Sequence, residues 1–188
     1  MRRIVVTEFV SLDGVFEAPG PDGSGFKYEG WTMGFNNEEF IKFKSEELMS
    51  ADAQLLGRVT YEGFAQAWPE RTGDPFSDKF NAMPKYVVSS TLKKAEWNNS
   101  HIIKKDFAKE IARLKEDEGE GDILVNGSGQ LVNFLFVEGL VEELRLLVYP
   151  VVLGTGKRLF KNTHVKLKLI ESTSFQTGIL ALRYEPMR

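Results

Sequence analysis

Cysteine is absent from the 188 residues, which excludes disulfide bonds and thiolate metal sites. Histidine is nearly absent: His101 and His164 are the only two, and they stand in unrelated local contexts without the spacing of metal ligands. We therefore expect no metal centre.

Basic residues are not in excess, since 24 lysines and arginines face 27 aspartates and glutamates and leave a formal net charge of −3. Such a chain has no basic field for a phosphate backbone, so we expect no nucleic-acid partner. No apolar run is long enough to cross a bilayer, and no secretory signal peptide opens the sequence. Together with the missing cysteines, this predicts a cytoplasmic protein without membrane association.

Apolar residues, by contrast, are abundant: 42% of the chain is hydrophobic and 12% is aromatic. A chain of this length and composition fills one core, and no linker-like stretch divides it. We predict a single domain over residues 1–188.

Residues 122–132 carry the strongest local pattern. The apolar run 123–125 predicts a buried strand, and an amphipathic helix begins close to Ser128 or Gly129. Five small or polar residues form the turn: Asn126, Gly127, Ser128, Gly129 and Gln130. Free amides at a helix start bind phosphate, and glycines let it approach the backbone. A side chain at Gly129 is expected to block a pyrophosphate and leave the fold largely intact, although a plain strand-to-helix turn is the alternative.

Two other predicted strands end in residues suited to anions. After the strand at 53–56 come Gly57, Arg58 and Thr60. After the strand at 85–88 come Ser89 and Ser90. A guanidinium clamps phosphate oxygens, a threonine can cap a helix, and serine hydroxyls donate to phosphate or ribose oxygens. Because parallel strands end along one edge of a sheet, the three strand ends together predict a single anion-binding site.

The first predicted strand, residues 2–10, leads to Asp13. Ligands gather at such strand ends in open α/β sheets, but Asp-Gly is also an ordinary turn dipeptide. Residues 14–37 form a long loop rich in glycine and aromatic side chains. This composition predicts a lid over a flat ligand.

A helix follows from about Asn37. Ile41 and Leu48 can share its buried face, and Glu47 is expected to remain in solvent. Glu38 lies in the first turn, where a carboxylate either favours the helix dipole or serves catalysis.

Three further strands are predicted at residues 143–153, 165–175 and 179–185, and the last two form an antiparallel hairpin. With a short strand at 101–103, the pattern predicts an α/β fold of three α/β/α layers, with a mixed, mostly parallel sheet of about eight strands. The long apolar strand 143–153 is expected at a sheet edge that a second copy of the chain covers. Burial within its own sheet is the alternative.

Four motifs resemble, in this order, the dihydrofolate reductase-like superfamily: Val10-Ser11-Leu12-Asp13-Gly14-Val15, Leu56-Gly57-Arg58-Val59-Thr60-Tyr61, the strand ending Ser89-Ser90, and Val125-Asn126-Gly127-Ser128-Gly129-Gln130. The resemblance spans nearly the whole chain. Ser-Leu-Asp-Gly and Trp31-Thr32 are more similar to the reductase domain of the bifunctional riboflavin-biosynthesis deaminase-reductase than to true dihydrofolate reductase.

The resemblance implies an NADPH-dependent reductase, often a homodimer, with a small-molecule substrate. Around the adenosine phosphate it implies Gly57, Arg58, Thr60, Ser89 and Ser90. Along the pyrophosphate it implies Gly127, Ser128, Gly129 and Gln130, with Asn126 beside them. Hydride would pass to a flat, polarised C=N or C=O group beneath the aromatic lid. We expect Trp31 to contact the substrate and Asp13 to lie near the nicotinamide, with Glu38 as the alternative acid.

The substrate is less determined than the cofactor. Riboflavin reductases carry an arginine about where Leu48 stands, so a substrate ribose phosphate would lose its clamp here. The leading expectation is a reductase similar to 5-amino-6-(5-phosphoribosylamino)uracil reductase. The alternatives are a dihydrofolate or pterin reductase and a non-catalytic NADP-binding module.

Overall fold

The computed structural model describes residues 1–187, which form eight β-strands and five α-helices. The strands are β1 (Ile4–Ser11), β2 (Ala51–Gly57), β3 (Lys85–Val88), β4 (Ser100–Ile103), β5 (Asp122–Val125), β6 (Glu143–Tyr149), β7 (Leu167–Ser174) and β8 (Leu180–Pro186). The helices are α1 (Glu38–Met49), α2 (Arg58–Ala67), α3 (Pro75–Ala82), α4 (Phe107–Leu114) and α5 (Gly129–Val137).

All eight strands form one sheet in the order β4-β3-β2-β5-β1-β6-β8-β7. The strands from β4 to β6 in this order pair in parallel, and β8 runs antiparallel to both of its neighbours. This confirms the predicted mixed, mostly parallel sheet. Among residues 1–187, no helix is both long and apolar enough to span a membrane.

Helices cover both faces of the sheet and complete the predicted three layers. On one face, Leu48 of α1, Tyr61 of α2 and Phe80 of α3 belong to one buried cluster with Val5 and Leu124. On the other face, α4 and α5 pack against alternate residues of β1, β2 and β5. The central strands are therefore apolar on both sides, as a parallel sheet covered on both faces requires.

The long apolar strand β6 is internal, so the prediction of an edge strand there is wrong. It pairs with β1 from Glu143 to Tyr149 and with β8 on its other side. It also ends at Tyr149, before Pro150. The C-terminal hairpin supplies the cover, because β8 lies between β6 and the outermost strand β7.

Helix α1 carries a buried carboxylate, Glu47, where the sequence predicted a solvated one. Its oxygens accept hydrogen bonds from Thr7 Oγ1 at 3.1 Å and from Arg145 Nη1 at 3.5 Å, and Lys44 forms an ion pair with it. These partners compensate the burial of the charge, and two of them, Thr7 and Arg145, are distant in sequence.

Glu143, at the start of β6, is a buried carboxylate within an ionic network of three arginines. Arg145 Nε and Arg183 Nε each donate to its Oε1 at 2.7 Å, and Arg3 Nη1 donates to its Oε2 at 3.1 Å. Burial alone would raise the pKa of Glu143, but the hydrogen bonds from Arg183 and Arg145 outweigh it and lower the pKa to about 2. The carboxylate is therefore ionised at neutral pH.

We expect Glu143→Gln to destabilise the protein by about 3–5 kcal/mol at neutral pH, because it removes the buried negative charge that pairs with the buried Arg145 and the half-buried Arg183. The lowered pKa means that the wild-type carboxylate contributes stability above about pH 4.5 and loses it as the pH falls towards 2. The difference in urea-unfolding free energy between wild type and variant should therefore shrink on acidification.

Glu96→Gln is the matched control, because the Glu96 side chain is 74% exposed and pairs with Lys94 at the surface. We expect a change below about 1 kcal/mol for this exposed pair. An effect of Glu143→Gln no larger than that would contradict a stabilising network.

Candidate functional site

The candidate site lies at the carboxyl edge of the sheet, between β1 and β5. From β1 the chain crosses through α1 to β2 on one side, whereas from β5 it crosses through α5 to β6 on the other. The β1–β5 pairing covers only Ile4 to Val6, while β1 continues beside β6 as far as Ser11. Strand β1 thus extends beyond the end of β5 at the switch point of the sheet, where ligands bind in open α/β folds.

The turns that follow β2 and β5 are in direct contact at this edge. The amide of Gly57 donates to the carbonyl oxygen of Gly127 at 3.0 Å. A Cβ on Gly57 would collide with Oγ of Ser128, and a Cβ on Gly127 would lie 2.7 Å from Oγ1 of Thr60. Gly127 also has a φ of +106°, which L side chains rarely adopt. Glycine at these two positions therefore allows the starts of α2 and α5 to lie side by side.

Both of these helix starts present backbone amides. The N-cap residues are Gly57 for α2 and Ser128 for α5, and within the described chain neither makes a capping side-chain hydrogen bond. Asn37 caps α1 and Asp74 caps α3, whereas α4 is also uncapped. First-turn amides have no acceptor in their own helix and carry the positive end of the helix dipole. Two such ends in contact suit a pyrophosphate.

Arg58 opens α2 with a half-exposed guanidinium. Its Nη1 donates to Oε2 of Glu62 at 2.7 Å, one helical turn away. Thr60 does not cap this helix, contrary to its predicted role, because the helix begins earlier, at Arg58. Its hydroxyl lies against Gly127 instead, so Thr60 joins the two turns.

The end of β3 lies beside the end of β2, because Gly57 pairs with Val88. Ser89 comes next and is buried, and its Oγ accepts hydrogen bonds at 3.2 and 2.9 Å from two amides of the turn that follows. Ser90 is exposed. Ser89 therefore stabilises the turn, and the side chain of Ser90 is exposed to solvent at the same edge of the sheet.

The loop that follows β1 packs against the β5–α5 turn. Gln130 is exposed and Asn126 is half-buried, but Gly129 is buried. A Cβ on Gly129 would lie 2.5 Å from Cζ of Phe16. A side chain there would disturb the packing of the protein itself, which differs from the expectation that only a ligand would be affected.

The aromatic loop between β1 and α1 packs on Tyr149 at the end of β6. The rings of Trp31 and Phe35 from this loop, and of Phe9 from β1, meet the Tyr149 ring edge-on, with centroid distances of 5.3, 5.6 and 5.6 Å. Trp31 is buried, and its Nε1 donates to the carbonyl oxygen of Glu17 at 2.8 Å. The loop is therefore an ordered cover, and Trp31 takes part in it through ring packing and one hydrogen bond.

Asp13 and Glu38 are the two carboxylates predicted for catalysis, and each interacts with the protein itself. Asp13 accepts hydrogen bonds from Ser11 Oγ at 2.7 Å and from the amides of Leu153 and Gly154 at 3.1 and 2.9 Å. The bond from Ser11, followed by that from Leu153, lowers the pKa of Asp13 to about 2. Asp13 is therefore ionised at neutral pH and fastens two loops together. Glu38 is exposed in the first turn of α1, where its charge favours the helix dipole.

The fold brings another carboxylate to the site, Glu8 in β1, which the sequence analysis missed. Glu8 lies on the same face of β1 as Val6 and Val10, which pack against α4 and α5, and it is only 8% exposed. Within the described residues its Oε1 is buried without a hydrogen-bond partner, 3.6 Å from the Cβ position of Gly127. Burial raises the pKa of Glu8 to about 8, although Lys44 acts in the opposite direction. A lone carboxylate inside an apolar strand was the available signal.

The donors at this edge fit a dinucleotide. Amides at two helix starts, the guanidinium of Arg58 and the hydroxyls of Thr60 and Ser90 are the groups that phosphate and ribose oxygens accept from. Within residues 1–187, no three His, Cys, Asp or Glu side chains are grouped to hold a metal ion.

Comparison with known sequences identifies relatives over nearly the full length. The family model of the RibD C-terminal domain matches residues 2–181. The uncharacterized protein YyaP of Bacillus subtilis is 30% identical over 190 residues, which cover 97% of this chain and 94% of YyaP.

Two solved structures show the same fold. A protein from a Shewanella species that bears a riboflavin-biosynthesis name has a TM-score of 0.77 at 19% identity, with 99% of both chains covered. Dihydrofolate reductase from Enterococcus faecalis, solved with NADP(H), has a TM-score of 0.63 at 16% identity, with 99% of this chain and 97% of that chain covered. The predicted dihydrofolate reductase-like architecture is thereby confirmed.

We expect Gly129→Ala to destabilise the ligand-free protein by about 1–3 kcal/mol, because the added methyl group overpacks against Phe16. Combining it with Phe16→Leu should cost less than the sum of the two single changes, since the smaller side chain makes room. Urea unfolding measures all three variants.

Gly63→Ala is the control: its Cβ would meet nothing within 4 Å, and alanine should stabilise α2 by about 0.5–1 kcal/mol. Strictly additive losses at Gly129 and Phe16 would contradict the contact.

Proposed function

This chain belongs to the family of the RibD C-terminal domain, and we propose that it is an NADPH-dependent reductase that transfers hydride to a small, flat heterocyclic or carbonyl substrate. The observation that carries this proposal is the contact of two uncapped helix starts at the switch point of the sheet, with Gly57 against Gly127 and Ser128. The leading substrate is similar to that of 5-amino-6-(5-phosphoribosylamino)uracil reductase in riboflavin biosynthesis.

The residues of the site divide the work of binding. The amides at the starts of α2 and α5 bind the pyrophosphate, and Arg58 binds the phosphate on the adenosine ribose. Bound there, the cofactor supplies the hydride. The aromatic loop on Tyr149, whose Phe16 packs on the start of α5, excludes water from the reacting groups. The protein contributes position and a dry pocket, which can account for several kcal/mol of the barrier.

Leu48 bears on the choice of substrate. It stands about where riboflavin reductases carry an arginine, and here it is 2% exposed in the cluster that contains Val5 and Leu124. A side chain in that position cannot clamp a substrate phosphate. Among aminopyrimidines this favours one without a ribose phosphate, and it makes a dihydrofolate or pterin reductase the second candidate. A non-catalytic NADP-binding module is the third.

Turnover separates the three candidates. The protein is mixed with NADPH and, in separate reactions, with 5-amino-6-(5-phosphoribosylamino)uracil, dihydrofolate, other pterins and unphosphorylated aminopyrimidines, and the loss of reduced-nicotinamide absorbance is followed. Turnover with an aminopyrimidine supports the leading candidate, and turnover with pterins alone selects the second. Binding of NADPH without turnover selects the third, and calorimetry that detects no NADPH binding overturns all three.

Arg58→Ala should weaken NADPH binding by about one to two orders of magnitude and leave NADH nearly unaffected. The guanidinium forms a charge-assisted hydrogen bond worth about 1.5–3 kcal/mol with the phosphate that only NADPH carries. Titration calorimetry with both cofactors measures the difference. Glu62→Gln is the control, because it removes the negative charge that pairs with Arg58 and should keep or increase NADPH affinity. Equal losses for both cofactors would assign Arg58 to the pyrophosphate or to structure.

We also propose a homodimer, through a surface other than β6. Strand β7 is outermost in the sheet, and its residues after Leu167 are exposed. Leu169 and Ile170 are 50% and 48% exposed, and apolar side chains on an open sheet edge favour a partner strand or face.

Sedimentation equilibrium at micromolar concentration should give twice the chain mass of 21.3 kDa, and Ile170→Lys should shift the measured mass towards that of the monomer. Val137→Lys, at an exposed apolar position on α5, should not. A monomeric wild type would contradict the dimer.

A further inference from the structure

We propose that Glu8 is the proton donor of this reduction, an inference that rests on the reductase function proposed above. Glu8 lies on β1 two residues beyond Val6, the last residue that pairs with β5. Its Oε1 is buried and, within the described residues, has no hydrogen-bond partner. A polar atom in that state is costly unless something completes it, and a substrate atom in the crevice would do so.

The strand order places the reacting end of the cofactor at Glu8. Arg58 and Ser90 follow β2 and β3, and Gly127 follows β5, so a cofactor with its adenosine phosphate at the former and its pyrophosphate at the latter lies along the edge β3-β2-β5. The next strand in that direction is β1. A nicotinamide end would then extend towards the gap between β5 and β1, where Oε1 of Glu8 lies 3.6 Å from the position that a Cβ on Gly127 would take.

The surroundings of Glu8 keep its carboxyl protonated at neutral pH. The charged group that acts on it is Lys44 of α1, and this ammonium is already paired with Glu47. Helix α2 and the β5–α5 turn present Thr60 and Gly127, which do not titrate. With burial dominant, the pKa of Glu8 is raised to about 8, which suits a general acid working near neutral pH.

The reduction requires one hydride from the cofactor and one proton from Glu8. The carbon of a substrate C=N or C=O bond receives a hydride from the reduced nicotinamide, which is left oxidised. As the double bond becomes a single bond, the nitrogen or oxygen takes the proton of Glu8. The resulting Glu8 carboxylate regains a proton from water before the next turnover.

The protonation state is measured first in the ligand-free protein. Infrared difference spectra should show a carboxyl band that titrates near pH 8 in wild type and is missing from Glu8→Gln. Because the folded pKa is raised, wild type should also lose thermal stability relative to Glu8→Gln as the pH rises from about 4.5 to 8. A Glu8 carboxyl that titrates below about pH 5 would overturn the proposal.

Turnover is measured next, with a substrate from the panel above. Glu8→Gln should lower kcat by about 10²–10⁴-fold with the Kd for NADPH unchanged, and wild-type kcat should fall as the pH rises through about 8. Glu8→Asp, which keeps a carboxyl, should retain part of the activity, and Glu46→Gln on the exposed face of α1 should retain all of it. A Glu8→Gln variant with wild-type kcat overturns the donor and leaves the reductase standing. A wild type that binds NADPH and reduces nothing overturns the reductase itself.

Discussion

The close approach of the β2–α2 and β5–α5 turns is the constraint on which the site depends. Strands β2 and β5 are parallel neighbours, so their carboxyl ends emerge at the same edge. One hydrogen bond from Gly57 to Gly127 joins the two turns, and neither position has room for a side chain. The positive ends of two helix dipoles therefore act on one volume, and Arg58 adds a formal charge beside it. An anion placed there meets donors that need little rearrangement.

Two buried glutamates of the same sheet show how strongly surroundings govern protonation. Glu143 on β6 receives hydrogen bonds from Arg145 and Arg183, which lower its pKa to about 2. Glu8, on the neighbouring strand β1, is also buried, but the charged group that acts on it is Lys44 alone within the described chain, and burial raises its pKa to about 8. Paired carboxylates stabilise the fold, whereas an unpaired one is held in a state suited to acid chemistry.

Membership of the family determines the backbone fold more closely than it determines the substrate. The fold is shared at under 20% identity with both solved structures, because strand order and turn geometry tolerate many side chains. Single side chains are not determined by the fold in this way. In this chain Leu48 of α1 is buried, and the ring of Trp31 packs on Tyr149 and donates one hydrogen bond within the loop.

The sequence by itself determined the elements whose signals are local. Strand Lys85–Val88 was predicted with the bounds that it has, and the β5–α5 unit followed from an apolar run that meets glycines, because periodicity and turn residues act over a few positions. Helix α3 was missed, although Asp74 caps it in the usual way. Only the tertiary structure decided that β6 is internal, that Glu47 is buried among partners and that Glu8 has none at its Oε1 within the described residues. Those states depend on which distant strands become neighbours, and no local pattern carries that information.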